Sequence, residues 1–318
     1  MDTVTLPAGL TVRPPALADA ERILALVSAY NTRLVGFADY TLDDVKDELT
    51  EPGFDPATDG WLVDDADGTL VGYGWSYHEP ASDIVDVDVI ADDPAVARWL
   101  LERALDRARE VGRTHGLDAV MVDKGVYRVD DAKRELVAAY GFTAGTTFHR
   151  MRIDHTAAVP MPAPPPGVLL HEGAYDDATR RAAHQVTMAS FADHYGHVDT
   201  PYDDWLAAHE ARSTFDWSQL VVLEVDGTPV AVSDSNDQFV ADEDCGYVAQ
   251  LGVVPDARGR GLARYLLRRA FAVNAAAGRR GTILHVDTNN TTPALGLYES
   301  VGMKPYLVID AYRVTLPL

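Results

Sequence analysis

The sequence has one cysteine, Cys245, so no internal disulfide can form, and the absence of CxxC pairs or a spaced Cys/His set leaves no structural zinc site. Basic residues are also scarce. Lysine and arginine number 27 against 49 aspartates and glutamates, a formal charge of −22, and a field of that sign repels a phosphate backbone. Nucleic acid is therefore not expected as a partner. No apolar run approaches the roughly 18 residues that span a bilayer, and the opening stretch has neither a basic region nor a hydrophobic signal core. A cytoplasmic chain with no membrane association is the expectation. Three phosphate or nucleophile motifs are missing too: GxxxxGK[ST], GxGxxG with its acidic ribose partner, and GxSxG.

What remains is a globular composition, 47% hydrophobic and 24% charged over 318 residues, enough for two domains. The stretch Asp154 to Gly167 has five prolines and no apolar period, and reads as an extended connector. It divides the chain into residues 1–155, a linker at 156–167, and residues 168–318. On either side the same order of elements recurs. In the second half, a hairpin turns at Asp226-Gly227, a strand spans Gly246–Val254, a glycine loop leads into a helix from Leu262, and strand Thr282–Asp287, helix Pro293–Val301 and a last strand follow. The first half repeats these parts with a turn at Asp67-Gly68, a strand at Ile84–Ile90 and a helix at Ala95–Gly112.

The loop Arg258-Gly259-Arg260-Gly261-Leu262-Ala263 sits between a strand and an amphipathic helix. Such a loop turns backbone N–H groups toward one point, and the helix adds unsatisfied amides and the positive end of its dipole. That combination cradles a pyrophosphate. The two glycines permit unusual φ values, and the two arginines add positive charge to an acidic chain.

Strand, then [RQ]xxGx[GA], then helix resembles the GNAT superfamily of acyl-CoA-dependent N-acyltransferases, with Arg258 to Ala263 filling each specified position. Asn290, Ala294, Leu297, Tyr298, Gly302 and Met303 resemble the family's second signature. The resemblance implies an α+β fold of two tandem GNAT-like domains, each a mixed, mostly antiparallel twisted sheet flanked by helices. It implies acetyl-CoA as cofactor, lying between two splayed strands. The pantetheine would pair with the main chain of Leu251, Gly252 and Val253, and the pyrophosphate would rest on Arg258, Gly259, Arg260, Gly261, Leu262 and Ala263. Asn290 would bond the pantetheine, the Leu251 N–H would polarise the thioester carbonyl, and the Tyr298 hydroxyl would protonate the departing thiolate.

The general base stays open, because Tyr247 stands where many family members have a glutamate. Glu243, Asp244, Asp234, Asp237 and His285 are candidates to take a proton through water. The stretch Phe191 to His197 resembles the FxDHWG segment of tandem GNAT proteins of the mycothiol-synthase type, which makes Asp193, His194, Tyr195 and Trp205 candidates for the acceptor pocket, together with Asp234, Tyr247 and His285. No metal site is expected. The N-terminal copy has Asp92-Asp93-Pro94 where the loop would be and Val137 in place of Tyr298, and reads as degenerate. The expected activity is acetyl transfer to a primary amine of a small molecule by direct attack. The alternatives are a non-catalytic acyl-CoA sensor, or transfer of another acyl group or to a mycothiol-type acceptor.

Overall fold

The computed structural model describes residues 5–78, 84–192, 197–289 and 294–318. The chain divides into two compact units, Met1–Thr147 with Ile309–Leu318, and Phe148–Val308. Neither boundary falls in the proline-rich stretch; each lies inside a strand.

In chain order unit 1 contains β1 (Thr11–Arg13), α1 (Ala20–Val35), α2 (Leu42–Thr50), α3 (Pro56–Asp59), β2 (Gly60–Asp64), β3 (Leu70–His78), β4 (Ile84–Ala91), α4 (Pro94–Thr114), β5 (Ala119–Tyr127) and α5 (Asp131–Ala139). Next, β6 (Thr143–Asp154) leaves unit 1 for unit 2. Unit 2 continues with β7 (Val168–Glu172), α6 (Asp177–Phe191), α7 (Tyr202–Ala211), β8 (Val221–Val225), β9 (Thr228–Asn236), α8 (Val240–Glu243), β10 (Cys245–Val253), α9 (Leu262–Ala276), β11 (Gly281–Asp287) and α10 (Ala294–Ser300). The last strand, β12 (Lys304–Pro317), begins in unit 2 and returns to unit 1.

The two long strands complete each unit with chain from the other half of the sequence. Ile309–Pro317 of β12 pairs antiparallel with β5, while Phe148–Asp154 of β6 pairs antiparallel with β11. Each unit is a mostly antiparallel sheet with one parallel pair, β4 with β5 and β10 with β11.

Alternation along the strands sorts apolar side chains to two faces. In β8, Val221, Leu223 and Val225 pack with Leu262, Tyr265 and Leu266 of α9, while Val222 packs with Val186 of α6 and Trp205 of α7. Unit 1 is built alike: Leu100 and Leu101 of α4 cover Val85, Val87 and Val122, and Ile23 and Val27 of α1 with Leu49 of α2 cover Leu62 and Tyr73. Burying a leucine of this kind contributes roughly 1.5–3 kcal/mol. The β8–β9 hairpin closes through Asp226 (φ 51°) and Gly227 (φ 77°), the positive pair that a two-residue hairpin turn needs.

Candidate active site

The parallel pairing of β10 with β11 runs from Cys245 opposite Gly281 to Val248 opposite Leu284 and stops there, although the strands continue to Val253 and Asp287. A bulge explains the parting. Against β9 the register shifts between Val248 and Gln250, so one extra residue, Ala249, bends β10 where it leaves β11. Leu251, Gly252 and Val253 remain paired with β9 alone.

At the far end of β10 the chain turns through Pro255–Ala257 into the loop and α9. Gly259 and Gly261 have φ of 76° and 80°, and a Cβ on either would meet nothing within 4 Å. The loop is thus open on its outer side, and its conformation is one that residues with side chains resist. Gly261 is the N-cap of α9 and offers no side chain to the first amides of the helix. The N–H groups of Leu262 and Ala263 are left for an external acceptor. Leu262 itself is buried under the loop, Ala263 is half-buried and Arg260 is exposed. Arg258 is exposed and donates to the carbonyls of Val253 (3.1 Å) and Ser190 (3.2 Å). It braces the end of β10 against the end of α6.

Tyr298 projects from α10 into the cluster of Met151, Val248, Leu267, Phe271, Leu284, Val286 and Met303. Burial pushes its phenol up to about 12, which keeps it protonated well beyond neutral pH, and no described residue hydrogen-bonds its hydroxyl. The helix ends with Met303 N–H donating to Tyr298 C=O (3.1 Å) and Gly302 N–H to Glu299 C=O (3.0 Å). In unit 1 the same pair of bonds joins Phe142 to Val137 and Gly141 to Ala138 (3.2 and 3.1 Å), so Val137 is the structural counterpart of Tyr298.

The other face of β10 carries the polar candidates. His285 accepts from Arg150 Nε at Nε2 (2.9 Å), which requires the proton on Nδ1, and Nδ1 faces the Tyr247 hydroxyl at 2.8 Å. Burial and the neighbouring Arg150 pull the imidazole down to about 3. Neutral and engaged at both nitrogens, His285 has no lone pair for a substrate proton. Burial raises Tyr247 to about 12. Glu243, a candidate base from sequence, has a buried side chain held by Arg152 (2.7 Å) and by the Tyr306 hydroxyl (2.8 Å). Asp237 is engaged by Gln219 (2.8 Å) and Arg279 (2.6 Å).

Asp234 differs from these. Its Oδ2 meets His209 Nε2 at 2.9 Å, and both side chains are buried, but its Oδ1 is buried with no partner among the described residues. His209, in α7, was not foreseen from sequence. Trp205 lies beside it, ring centroids 4.1 Å apart and tilted by 42°, and packs into the core with Val186, Leu220 and Val232. Asp193, His194, Tyr195 and Asn290 lie outside the described residues. Cys245 is buried, and burial pushes its thiol up to about 11, so thiolate is scarce at neutral pH.

Residues 184–303 match the acetyltransferase (GNAT) family. Among named relatives, the mycothiol acetyltransferase of Thermobispora bispora is 32% identical over 187 residues, covering 57% of this chain and 62% of that one. The mycothiol acetyltransferase of Streptomyces griseus is 28% identical over 78% of this chain and 77% of its own length. The first four such relatives are matched over only 43% to 62% of their length. Among solved structures, a GCN5-related N-acetyltransferase from Sphaerobacter thermophilus superposes with a TM-score of 0.82 at 21% identity, covering 99% of this chain and 98% of that one. A tandem GNAT protein from the clavulanic acid biosynthesis pathway gives 0.73 at 17% identity, over 96% and 98%. These likenesses establish the tandem GNAT fold. No helix of the described residues is long and apolar enough to cross a membrane.

Proposed function

We propose that unit 2 transfers an acetyl group from acetyl-CoA to a primary amine of a small molecule by direct attack. The observation that carries this reading is the parting of β10 from β11 beyond Val248 and Leu284, ending beside a helix start that has no cap of its own. The residues fit the cofactor: loop glycines open to the outside, free amides at the head of α9, and a stretch of β10 without a second neighbour. The relatives' name supports acetyl as the group, and favours a mycothiol-type acceptor as the particular case.

When bound, acetyl-CoA supplies an activated thioester and a thiol leaving group. The amides of Gly259 to Ala263 and the charge of Arg260 would hold the pyrophosphate, with Arg258 fixing the loop to β10 and α6. The main chain of Leu251 to Val253 orients the pantetheine, and the Leu251 N–H stabilises negative charge on the reacting oxygen, a donor role whose loss costs about 3–4 kcal/mol in other enzymes. Tyr298, protonated in its apolar surroundings, gives its proton to the leaving sulfur. Cys245 takes no part.

The test is thiol release from acetyl-CoA across a panel of primary amines, with wild type and Tyr298→Phe. Amine-dependent release that falls in the phenylalanine variant supports the reading. Tight CoA binding with no release on any amine would make unit 2 a sensor instead.

A further inference from the structure

Several buried side-chain oxygens in unit 2 have no hydrogen-bond partner among the described residues. Asp234 and Gln250 are directly opposed in the β9–β10 pair, and opposed residues share a face. Gly252, two residues beyond Gln250, lies on that face as well, and the Ser190 side chain of α6 sits over it, its Oγ 2.9 Å from where a Cβ on Gly252 would stand. The register therefore gathers three oxygens: Asp234 Oδ1, Gln250 Oε1 and Ser190 Oγ. All three are buried and without a hydrogen-bond partner among the described residues. Leaving one such group unsatisfied costs about 1–3 kcal/mol, so three on one face call for a ligand or ordered water that brings donors. The bulge at Ala249, where β10 leaves β11, is the neighbour of Gln250.

His209 occupies one oxygen of Asp234. Its Nδ1 lies 2.8 Å from the Trp205 carbonyl and its Nε2 2.9 Å from Asp234 Oδ2. Asp234 is thereby held with Oδ2 occupied and Oδ1 directed away from the imidazole. The buried indole N–H of Trp205 also lacks a partner among the described residues.

We propose that Asp234 Oδ1, Gln250 Oε1 and Ser190 Oγ recognise the acceptor substrate as an alkylammonium ion, with His209 as the positioning residue for Asp234. This rests on the reading of unit 2 as an amine acyltransferase and names the form in which the amine is first bound; the ammonium gives one proton to solvent water before its nitrogen, as the neutral amine, attacks the thioester. A primary ammonium has three N–H donors and one positive charge, the complement of three acceptors of which one is a carboxylate. A neutral alcohol of the same size offers one donor and no charge.

Binding is read without turnover. Trp205 and Trp217 lie 4.1 and 5.8 Å from the His209 ring, so tryptophan fluorescence of the full chain reports the site. Titration with ethanolammonium should give a saturable change that ethylene glycol does not. Asp234→Asn should weaken ethanolammonium by about tenfold or more, as expected for loss of a hydrogen bond to a charged group. His209→Leu should weaken it comparably, and His209→Gln, which keeps a donor toward Asp234, should restore most of the affinity. If Asp234→Asn fails to fold, Gln250→Leu carries the test, with about a threefold loss expected from removal of one acceptor. Equal response to ethylene glycol, no saturable response to ethanolammonium, or unchanged affinity in the folded variants overturns the proposal. A chain that binds ethanolammonium as described but acetylates no amine refutes the reaction and leaves the site standing.

Discussion

Both units contain a parallel strand pair that comes apart, and they treat the opening in opposite ways. In unit 1 the pairing of β4 with β5 ends at Asp86 opposite Asp123. Just beyond it the chain supplies its own charges: Lys124 bonds Asp88, Lys133 of α5 lies 3.6 Å from Asp88, and Asp130 accepts from Tyr30 at 2.6 Å. In unit 2 Leu251 to Val253 pair with β9 alone, and the oxygens of Asp234, Gln250 and Ser190 have no partner among the described residues. The helix starts differ in the same sense. Asp93 caps α4 by accepting from Ala95 N–H, with Pro94 next to it, while α9 begins at a glycine with no cap. A carboxylate already in place repels an anion and occupies the amides that would bind one. Around its parting strands unit 1 spends its charges on one another, whereas the corresponding part of unit 2 is where we propose that ligands bind.

The largest effect belongs to Tyr298, whose counterpart in unit 1 is Val137. Tyr298→Phe should reduce kcat for amine acetylation by about 10² to 10⁴, the usual contribution of a positioned proton donor, with little change in CoA affinity. A stopped assay of thiol release measures it; undiminished kcat would assign proton transfer to another group. Next is the ion cluster of unit 1. Burial pulls Lys124 down to about 8 even with Asp88 beside it, and burial alone would raise Asp88, yet Lys124 and Lys133 hold its carboxyl below its usual range. Lys124→Met should destabilise the chain by about 2–3 kcal/mol. That is less than the roughly 3–5 for a fully buried pair, because the Asp88 side chain is 35% exposed and keeps Lys133. Denaturant unfolding gives the loss, and CoA affinity should not move. A fall in CoA affinity would place cofactor binding in the unit assigned none.

Much of this contrast was legible in the sequence, and for a local reason. The glycine loop, the Asp226-Gly227 turn and the Asp92-Asp93-Pro94 replacement are each decided by backbone chemistry within a few residues. What was not legible depends on register and packing. Asp234 and His209 are 25 residues apart and meet only because α7 lies on the face that β9 presents. Gln250 reaches that face because the Ala249 bulge shifts the strand by one residue, and periodicity gives no sign of it. The arginine at 258 reads as a phosphate ligand by type, and its bonds to the carbonyls of Val253 and Ser190 have no local sign in the sequence. The exchange of β6 and β12 between units is equally silent, since a strand has the same alternation whichever sheet it joins.

A smaller effect comes from making unit 2 resemble unit 1 at the helix start. Gly261→Asp places a carboxylate at the head of α9, as Asp93 does for α4, at a φ of 80° that aspartate tolerates only with strain. CoA affinity by calorimetry should weaken by at least about tenfold. The reverse substitution site, Asp93→Ala, should cost about 1 kcal/mol of stability as a lost cap and leave CoA unaffected. Unchanged CoA binding by Gly261→Asp would remove the pyrophosphate from this loop.

The finest distinction is in pH. His285 of unit 2 titrates near 3 when folded, against an ordinary value of about 6.5, because burial and Arg150 both oppose its charge. Between those two values the unfolded chain holds a proton that the folded chain lacks. Stability from this group is therefore complete above pH 6.5 and is lost as pH falls toward 3, with a limiting slope of about 1.4 kcal/mol per pH unit. Lys124 of unit 1 obeys the same sign at the alkaline end: folded near 8 and unfolded near 10.5, it adds stability as pH rises across that interval. Acid should thus loosen unit 2 in a way that His285→Gln diminishes and Lys124→Met does not. Melting curves of the three proteins at a series of pH values separate the two, and an acid slope that His285→Gln leaves unaltered would mean that the buried imidazole is protonated in the folded chain, with Arg150 displaced from its Nε2.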